Sequence, residues 1–365
     1  MVAAGAAAAS VAAAAVAATP AGAATHPAVL AALACRSASQ CVAVGVNTPA
    51  MPTRLLSDQW NGRRWSQAAM PGPRGAANVR ESGVACPSAT ECVAVGVAFP
   101  PHGGDVYPTA SYWNGSRWST GRAAGTGTSA ELIAVSCPST SSCTAVGAYG
   151  ATEGTALPLI EHWDGRNWSR QAAPLPAGPR YGVLNDVSCA SPSLCVAVGN
   201  GQGHALAARW NGRAWSAAAL PGARDVTLYG VSCHAATCLA TGAGNNGTSP
   251  GTYLLNGTTW SFRSAPAPRG AAYPALQSVS CPTAGQCLAV GNYGRNGVFA
   301  DRWNGRAWAG VPMHQFGGLV RYFEQVRCVA PDSCVALGSA SALGASWRSE
   351  SAYWNGRSWQ VTPTA

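Results

Sequence analysis

Residues 184–199 read LNDVSCASPSLCVAVG, and residues 205–215 read ALAARWNGRAW. Leu184 and Val187 lie among polar neighbours that lead into Cys189, the pattern of a short half-buried strand. Ala190 to Leu194 supply small, turn-forming residues, and Cys195 to Gly199 form a nearly continuous apolar run. Such a run fits a strand buried on both faces. Ala205 to Trp210 read as a third strand, Asn211-Gly212 as a tight turn, and Trp215 as the opening of a fourth. No stretch in this region carries the 3.6-residue apolar period of a helix.

The same unit recurs from residue 28 to residue 365. The 14 cysteines fall into seven pairs: Cys35/Cys41, Cys86/Cys92, Cys137/Cys143, Cys189/Cys195, Cys233/Cys238, Cys281/Cys287 and Cys328/Cys334. Their first members are 51, 51, 52, 44, 48 and 47 residues apart. After each pair comes W-N-G-x-x-W, at Trp60–Trp65, Trp113–Trp118, Trp163–Trp168, Trp210–Trp215, Trp303–Trp308 and Trp354–Trp359. Asp164 replaces Asn in the third copy, and Leu255 replaces the first Trp in the fifth. Two residues after every second cysteine stands Ala, and four after stands Gly, as in Ala197 and Gly199. Four short antiparallel strands in 44 to 52 residues is the size of one propeller blade. The expected fold class is therefore all-β, a seven-bladed β-propeller of four-stranded antiparallel blades with one disulfide per blade. It occupies residues 28–365 as a single domain whose first blade meets the last without strand exchange.

Composition agrees. Charged residues make up 10% and apolar residues 47%, which excludes a disordered chain. The formal net charge of +9 comes from Arg alone, spread along the chain and often at one turn position. Clustering on one face would suggest nucleic acid, so no nucleic-acid partner is expected. Residues 1–23 are almost wholly Ala and Val and end in Ala21-Gly22-Ala23, the pattern of a secretory signal peptide. No later segment is long and apolar enough to span a bilayer, so the expectation is a secreted, extracellular monomer.

In an oxidising compartment the regular cysteine pairs read as disulfides. Zinc would call for tighter Cys spacing and accompanying His, and only His234 falls between a pair. Neither metal nor cofactor is expected. In the Trp signature, a two-residue turn with Gly in its first central position suits a type II′ hairpin, which sets the two Trp opposite one another; an Asn-Gly type I′ turn would shift that register. The Trp hairpins serve as scaffold or, in the sharper reading, as sugar-binding platforms. Arg63, Arg166, Arg213, Arg306 and Arg357 follow the Gly and either stack on Trp or stay solvated.

Residues that break the repeat are the better candidates for ligand binding. They gather near the start of the first strand: Asn185, Asp186, Tyr229, Gln277 and Glu324, with Glu131 beside them and Tyr181, Tyr273, Arg321 and Tyr322 slightly upstream. With the first strand innermost, these positions surround one mouth of the central channel.

With C-x5-C-V-A-V-G and W-N-G-x-x-W repeats, residues 28–365 resemble secreted seven-bladed β-propeller repeat proteins of high-GC bacteria. That resemblance carries no established activity. More distantly the chain is similar to the kelch and galactose-oxidase propeller superfamily, through its turn-plus-Trp hairpin. The Gly-Gly doublet of kelch repeats is absent, and a Tyr–Cys copper site has no match because every Cys already has a partner. The expected function is a non-catalytic binding module at the cell surface, for glycan or protein. The alternative is a secreted carbohydrate-active enzyme, a hydrolase, lyase or oxidase, working at the channel mouth. Among the seven Asp and seven Glu, Asp186 and Glu324 are the pair to test for facing carboxylates. No G-x-S-x-G elbow, H-E-x-x-H or P-loop is present.

Overall fold

The computed structural model describes residues 28–47, 54–125, 127–150, 155–244, 247–313, 320–341 and 348–364. The expected signal segment, residues 1–23, lies outside them. Among the described residues no helix is long and apolar enough to cross a membrane.

Unit four folds as read, with strands Val183–Ser191, Leu194–Gly201, His204–Trp210 and Trp215–Ala217 in sequential antiparallel order. The first two strands run further than the expected turn, Ala190–Leu194, allows. Cys189 lies directly opposite Cys195 and Ser191 opposite Leu194, so only Pro192 and Ser193 turn the chain. The disulfide keeps this end of the ladder closed.

The two sequence signatures prove to be one structural row. Cys195 pairs with Cys189 on one side and Trp210 on the other, and Trp210 faces Trp215. Six units therefore carry a disulfide beside a cross-strand Trp pair, and in unit five Leu255 faces Trp260 instead. All seven expected disulfides form: Cys35–Cys41, Cys86–Cys92, Cys137–Cys143, Cys189–Cys195, Cys233–Cys238, Cys281–Cys287 and Cys328–Cys334. In the turns of the Trp signature the positive φ falls on Gly alone, at +92° for Gly62, which fits the type II′ reading. The Asn61 side chain accepts the N–H groups of Arg63 and Arg64 and so holds that turn. Six Trp pairs lie 5.4–5.8 Å apart and tilted. The turn arginines Arg63, Arg166, Arg213, Arg306 and Arg357 stay solvated.

The repeated Gly has a steric cause. A Cβ on Gly199 would lie 1.9 Å from the Val183 carbonyl oxygen, and the six equivalent glycines meet first-strand carbonyls at 1.8–2.1 Å. The repeated Ala is fully buried in every unit.

Seven separate four-stranded sheets were expected, and the sheet count corrects this. Units one, two, three, four and seven form five four-stranded sheets; units five and six share one eight-stranded sheet. The join is a single residue pair, Ala243 with Ala275, made where the end of one second strand reaches the next first strand.

The first strands pack side by side at the centre, and that of unit seven, Val320–Ala330, packs on that of unit one, Ala28–Ser37. The ring is closed. Leu30, Leu33 and Trp65 share a hydrophobic cluster with Val335 and Leu337. The Trp65 indole N–H donates to Ser351 Oγ at 2.9 Å, and the Leu30 N–H to Ser349 Oγ at 2.6 Å. Among the described residues, unit one holds only its own strands and unit seven only its own.

Candidate functional site

Every first strand contains a register shift against its second strand just beyond the residue that faces the repeated Gly, besides a second shift beside the cysteine in five units. The residues left unpaired at the first of these shifts are Ala31, Ser82, Ile133, Asn185, Tyr229, Gln277 and Glu324, one per unit. Each is half-buried and follows a buried residue. A bulge leaves one residue out of the ladder and re-aims its side chain. Here the close approach of the repeated Gly to the first strand creates that geometry seven times, at the level where the first strands ring the channel. The scaffold is thus repeated and the displayed residue is not. Units one to three show Ala, Ser and Ile; units four to seven show Asn, Tyr, Gln and Glu.

On the polar side Gln277 and Glu324 line a cavity of about 480 Å³ together with Asn292, Tyr322, Phe323 and Ser339. Asn292 is held across the unit boundary, donating to the Phe323 carbonyl and accepting its N–H, both at 2.9 Å. Burial pushes the Glu324 carboxyl up to about 7, against a hydrogen bond from Ser339. Tyr322 donates its hydroxyl to the Arg295 carbonyl at 2.9 Å.

The other sequence candidates lie elsewhere. Asn185 donates to Asn200 Oδ1 at 3.2 Å and to the Leu228 carbonyl at 2.8 Å, bridging units four and five. Asp186 has each oxygen on a backbone N–H, Val187 at 2.8 Å and Val231 at 2.9 Å, so it clamps unit four to unit five. Its pKa is raised by burial, opposed by the Arg327 charge and those two donors. Asp186 is not among the residues around the Glu324 cavity, so the two carboxylates do not share it. Tyr229 is half-buried, its hydroxyl pushed up by burial. Tyr181 is half-buried just before its strand. Arg321 is paired with Glu350 at 2.9 Å and mostly buried. Tyr273 is 80% exposed, with φ of 51° and its N–H on the Gly247 carbonyl. Glu131 pairs with Arg80 at 2.9 Å near the surface.

The cysteines belong to the scaffold and not to this site. The second member of each bridge, Cys41, Cys92, Cys143, Cys195, Cys238, Cys287 and Cys334, is buried. Cys143, Cys238, Cys287 and Cys334 sit inside the hydrophobic clusters between blades, where they fill space. Their sequence signal was regular spacing, which marks a structural role rather than a chemical one.

Sequence reasoning passed over Asn292, Ser339 and Arg327. The signal was present. The residue after each repeated Gly is Val46, Val97, Ala148, Asn200, Ala243, Asn292 and Ser339, which turns polar in three units. The residue before each first cysteine is Ala or Ser in six units and Arg327 in the seventh. Burial lowers the Arg327 pKa, and the charge of Asp186 from unit four opposes that shift. Among the described residues no group of His, Cys, Asp or Glu is arranged to hold a metal ion.

No protein-family model matches the sequence, and no curated protein matches it. Solved structures do. YCF48 bound to D1 peptide aligns with a TM-score of 0.55 at 15% identity, over 86% of this chain and 91% of that one; YCF48 from Cyanidioschyzon merolae gives 0.54. A fungal lectin of Aleuria aurantia, described as a six-bladed β-propeller with a novel fucose recognition mode, aligns at 0.50 and 12% identity over 93% and 97%. A Trypanosoma rangeli sialidase aligns at 0.50 and 10% identity over 89% of this chain and 53% of that one. At such identities the likeness establishes the fold, a β-propeller of four-stranded antiparallel blades, here with a disulfide in every repeat unit.

Proposed function

We propose that this β-propeller is a secreted, non-catalytic recognition module with seven blades, the eight-stranded sheet counting as two, that takes a glycan or peptide at the channel mouth. One observation carries the reading: identical bulges display different residues, and the polar ones, Gln277 and Glu324, open on the cavity shared with Asn292 and Ser339. Carboxamide, hydroxyl and carboxyl groups around a concave space suit a ligand rich in hydroxyls or amides. Seven disulfides fit an oxidising, extracellular compartment. Similar folds include a fucose-recognising lectin and a peptide-bound protein. In this reading Asn185 and Tyr229, the bulge residues of units four and five, extend the same ring, Tyr181, Tyr273 and Arg321 extend it further out, and Asp186 supports it by clamping units four and five.

The enzymatic reading has one observation in its favour, a carboxyl near 7 in a cavity, suited to a general acid. Among the described residues that line the cavity there is no second carboxylate, which glycoside hydrolysis needs across the substrate. A combined glycan and peptide array with purified protein tests the proposal. Binding that falls in Glu324→Ala and Gln277→Ala, with no product released from any bound glycan, supports it. Turnover that Glu324→Gln abolishes would replace it with the hydrolase.

A further inference from the structure

At four boundaries, successive units are tied by a serine. Ser136, Ser188, Ser232 and Ser280 each accept the N–H of the next unit's first cysteine at 2.9–3.0 Å. Ala34 and Ala85 stand in the serine position of units one and two, so Cys86 and Cys137 are offered no such acceptor. Behind Ala85 a larger residue compensates. Tyr112 reaches across the boundary from unit two and accepts the indole N–H of Trp168 at 2.7 Å. In unit one the equivalent residue is Gln59, and the belt stays open there.

The result is a cleft of about 420 Å³ with Ala34, Gln59 and Cys86 in its walls. It lies at the end of the blades that carries the disulfide hairpins and Trp turns, away from the bulge level. Its jaws are fixed, since Arg36 donates to the Pro87 carbonyl at 2.5 Å and Gln40 to the Ala89 carbonyl at 3.0 Å. Trp60 and Trp113, both half-buried, form part of the wall. The Trp60 N–H is spent on the Ala38 carbonyl of its own unit, leaving the ring for apolar contact. The Gln59 amide nitrogen is buried and has no hydrogen-bond partner. A buried donor without an acceptor is costly, so a ligand acceptor that reaches it is favoured. The lining holds no carboxylate, which disfavours a cationic ligand, and its one guanidinium is engaged on Pro87. Indole rings, serine hydroxyls and a free carboxamide around a space of this size match a polyol with apolar ring faces.

We propose that the cleft between units one and two is a second, independent binding site, for a neutral saccharide. Isothermal titration calorimetry with cellobiose, maltose, lactose and chitobiose tests it. At least one sugar binds saturably, and Gln59→Leu weakens that binding about tenfold or more, the loss of one buried hydrogen bond. Gln59→Leu removes an unmet donor and so folds at least as well as the parent. Ser66→Trp, on an exposed position of the wall, blocks the cleft without touching the core. Glu324→Gln leaves this binding unchanged. Binding of none of the four sugars, or binding that survives both cleft variants, overturns the proposal. A loss confined to Glu324→Gln overturns it too, while assigning the sugar to the channel mouth.

Discussion

Gly199 shows how a single residue type serves the whole design. Its hydrogen faces the Val183 carbonyl where no methyl fits, and the bulge at Asn185 follows directly. Gly199→Ala is therefore expected to lower stability by about 1–3 kcal/mol in denaturant titration, the usual range for overpacking. Glu81 is the opposite case, a residue that departs from its repeat. Six units place Leu or Phe opposite the repeated Gly, and unit two places Glu81, fully buried with Ser111 donating to it at 2.8 Å. Burial moves its carboxyl from 4.5 to about 8. Between those values the fold holds a proton that the unfolded chain has released. Stability thus falls as pH rises through this window, by roughly 1.4 kcal/mol per unit at most, and levels off above it. Asp301 and Glu324, each pushed to about 7, add to the same slope. Glu81→Gln is expected to flatten the slope in part, measured as thermal midpoint from pH 5 to 8.5; an unchanged slope would assign it to the other carboxyls. The sequence announced that Gly199 mattered, because repetition is visible in letters. It did not announce why, because the clash involves a backbone carbonyl brought close only by the bulge. Glu81 looked like any other charged residue in the primary structure.

At the scale of elements, the disulfide and the Trp pair lie side by side across four strands and fasten the hairpin end of six blades, with Leu255 and Trp260 taking the pair's place in the fifth. Removing one bridge, as in Cys189→Ala with Cys195→Ala, is expected to cost about 2 kcal/mol in the chain-entropy picture, with strand content by circular dichroism unchanged. The serine belt acts between blades. Ser188→Ala strips the acceptor from the Cys233 N–H and is expected to cost about 1–3 kcal/mol, while Ala34→Ser, at the broken boundary, costs less. Strand order and cysteine pairing were legible from spacing, because each depends on contacts within one unit, whereas the choice between type II′ and type I′ turns was decided only by the backbone, with positive φ on the Gly alone. The belt was not, because it joins residues about fifty positions apart and its serines look like ordinary polar strand residues.

For the whole molecule, the repeat predicted a closed ring, and the contacts of Leu30 and Trp65 with Ser349 and Ser351 close it. What repetition could not foretell was where two sheets would merge, since the Ala243–Ala275 pair depends on how closely units five and six approach. The candidate ligand residues were legible as breaks in the pattern, and four of them proved to be bulge residues. Asp186 also breaks the pattern, yet it clamps two blades, because a buried carboxylate beside free N–H groups serves packing as readily as binding. An experimental electron-density map tests the ring most directly. The prediction is seven four-stranded units around one channel, with the indole of Trp65 on Ser351 at the closure. A gap between the first and last units, or any other number of units, would contradict it.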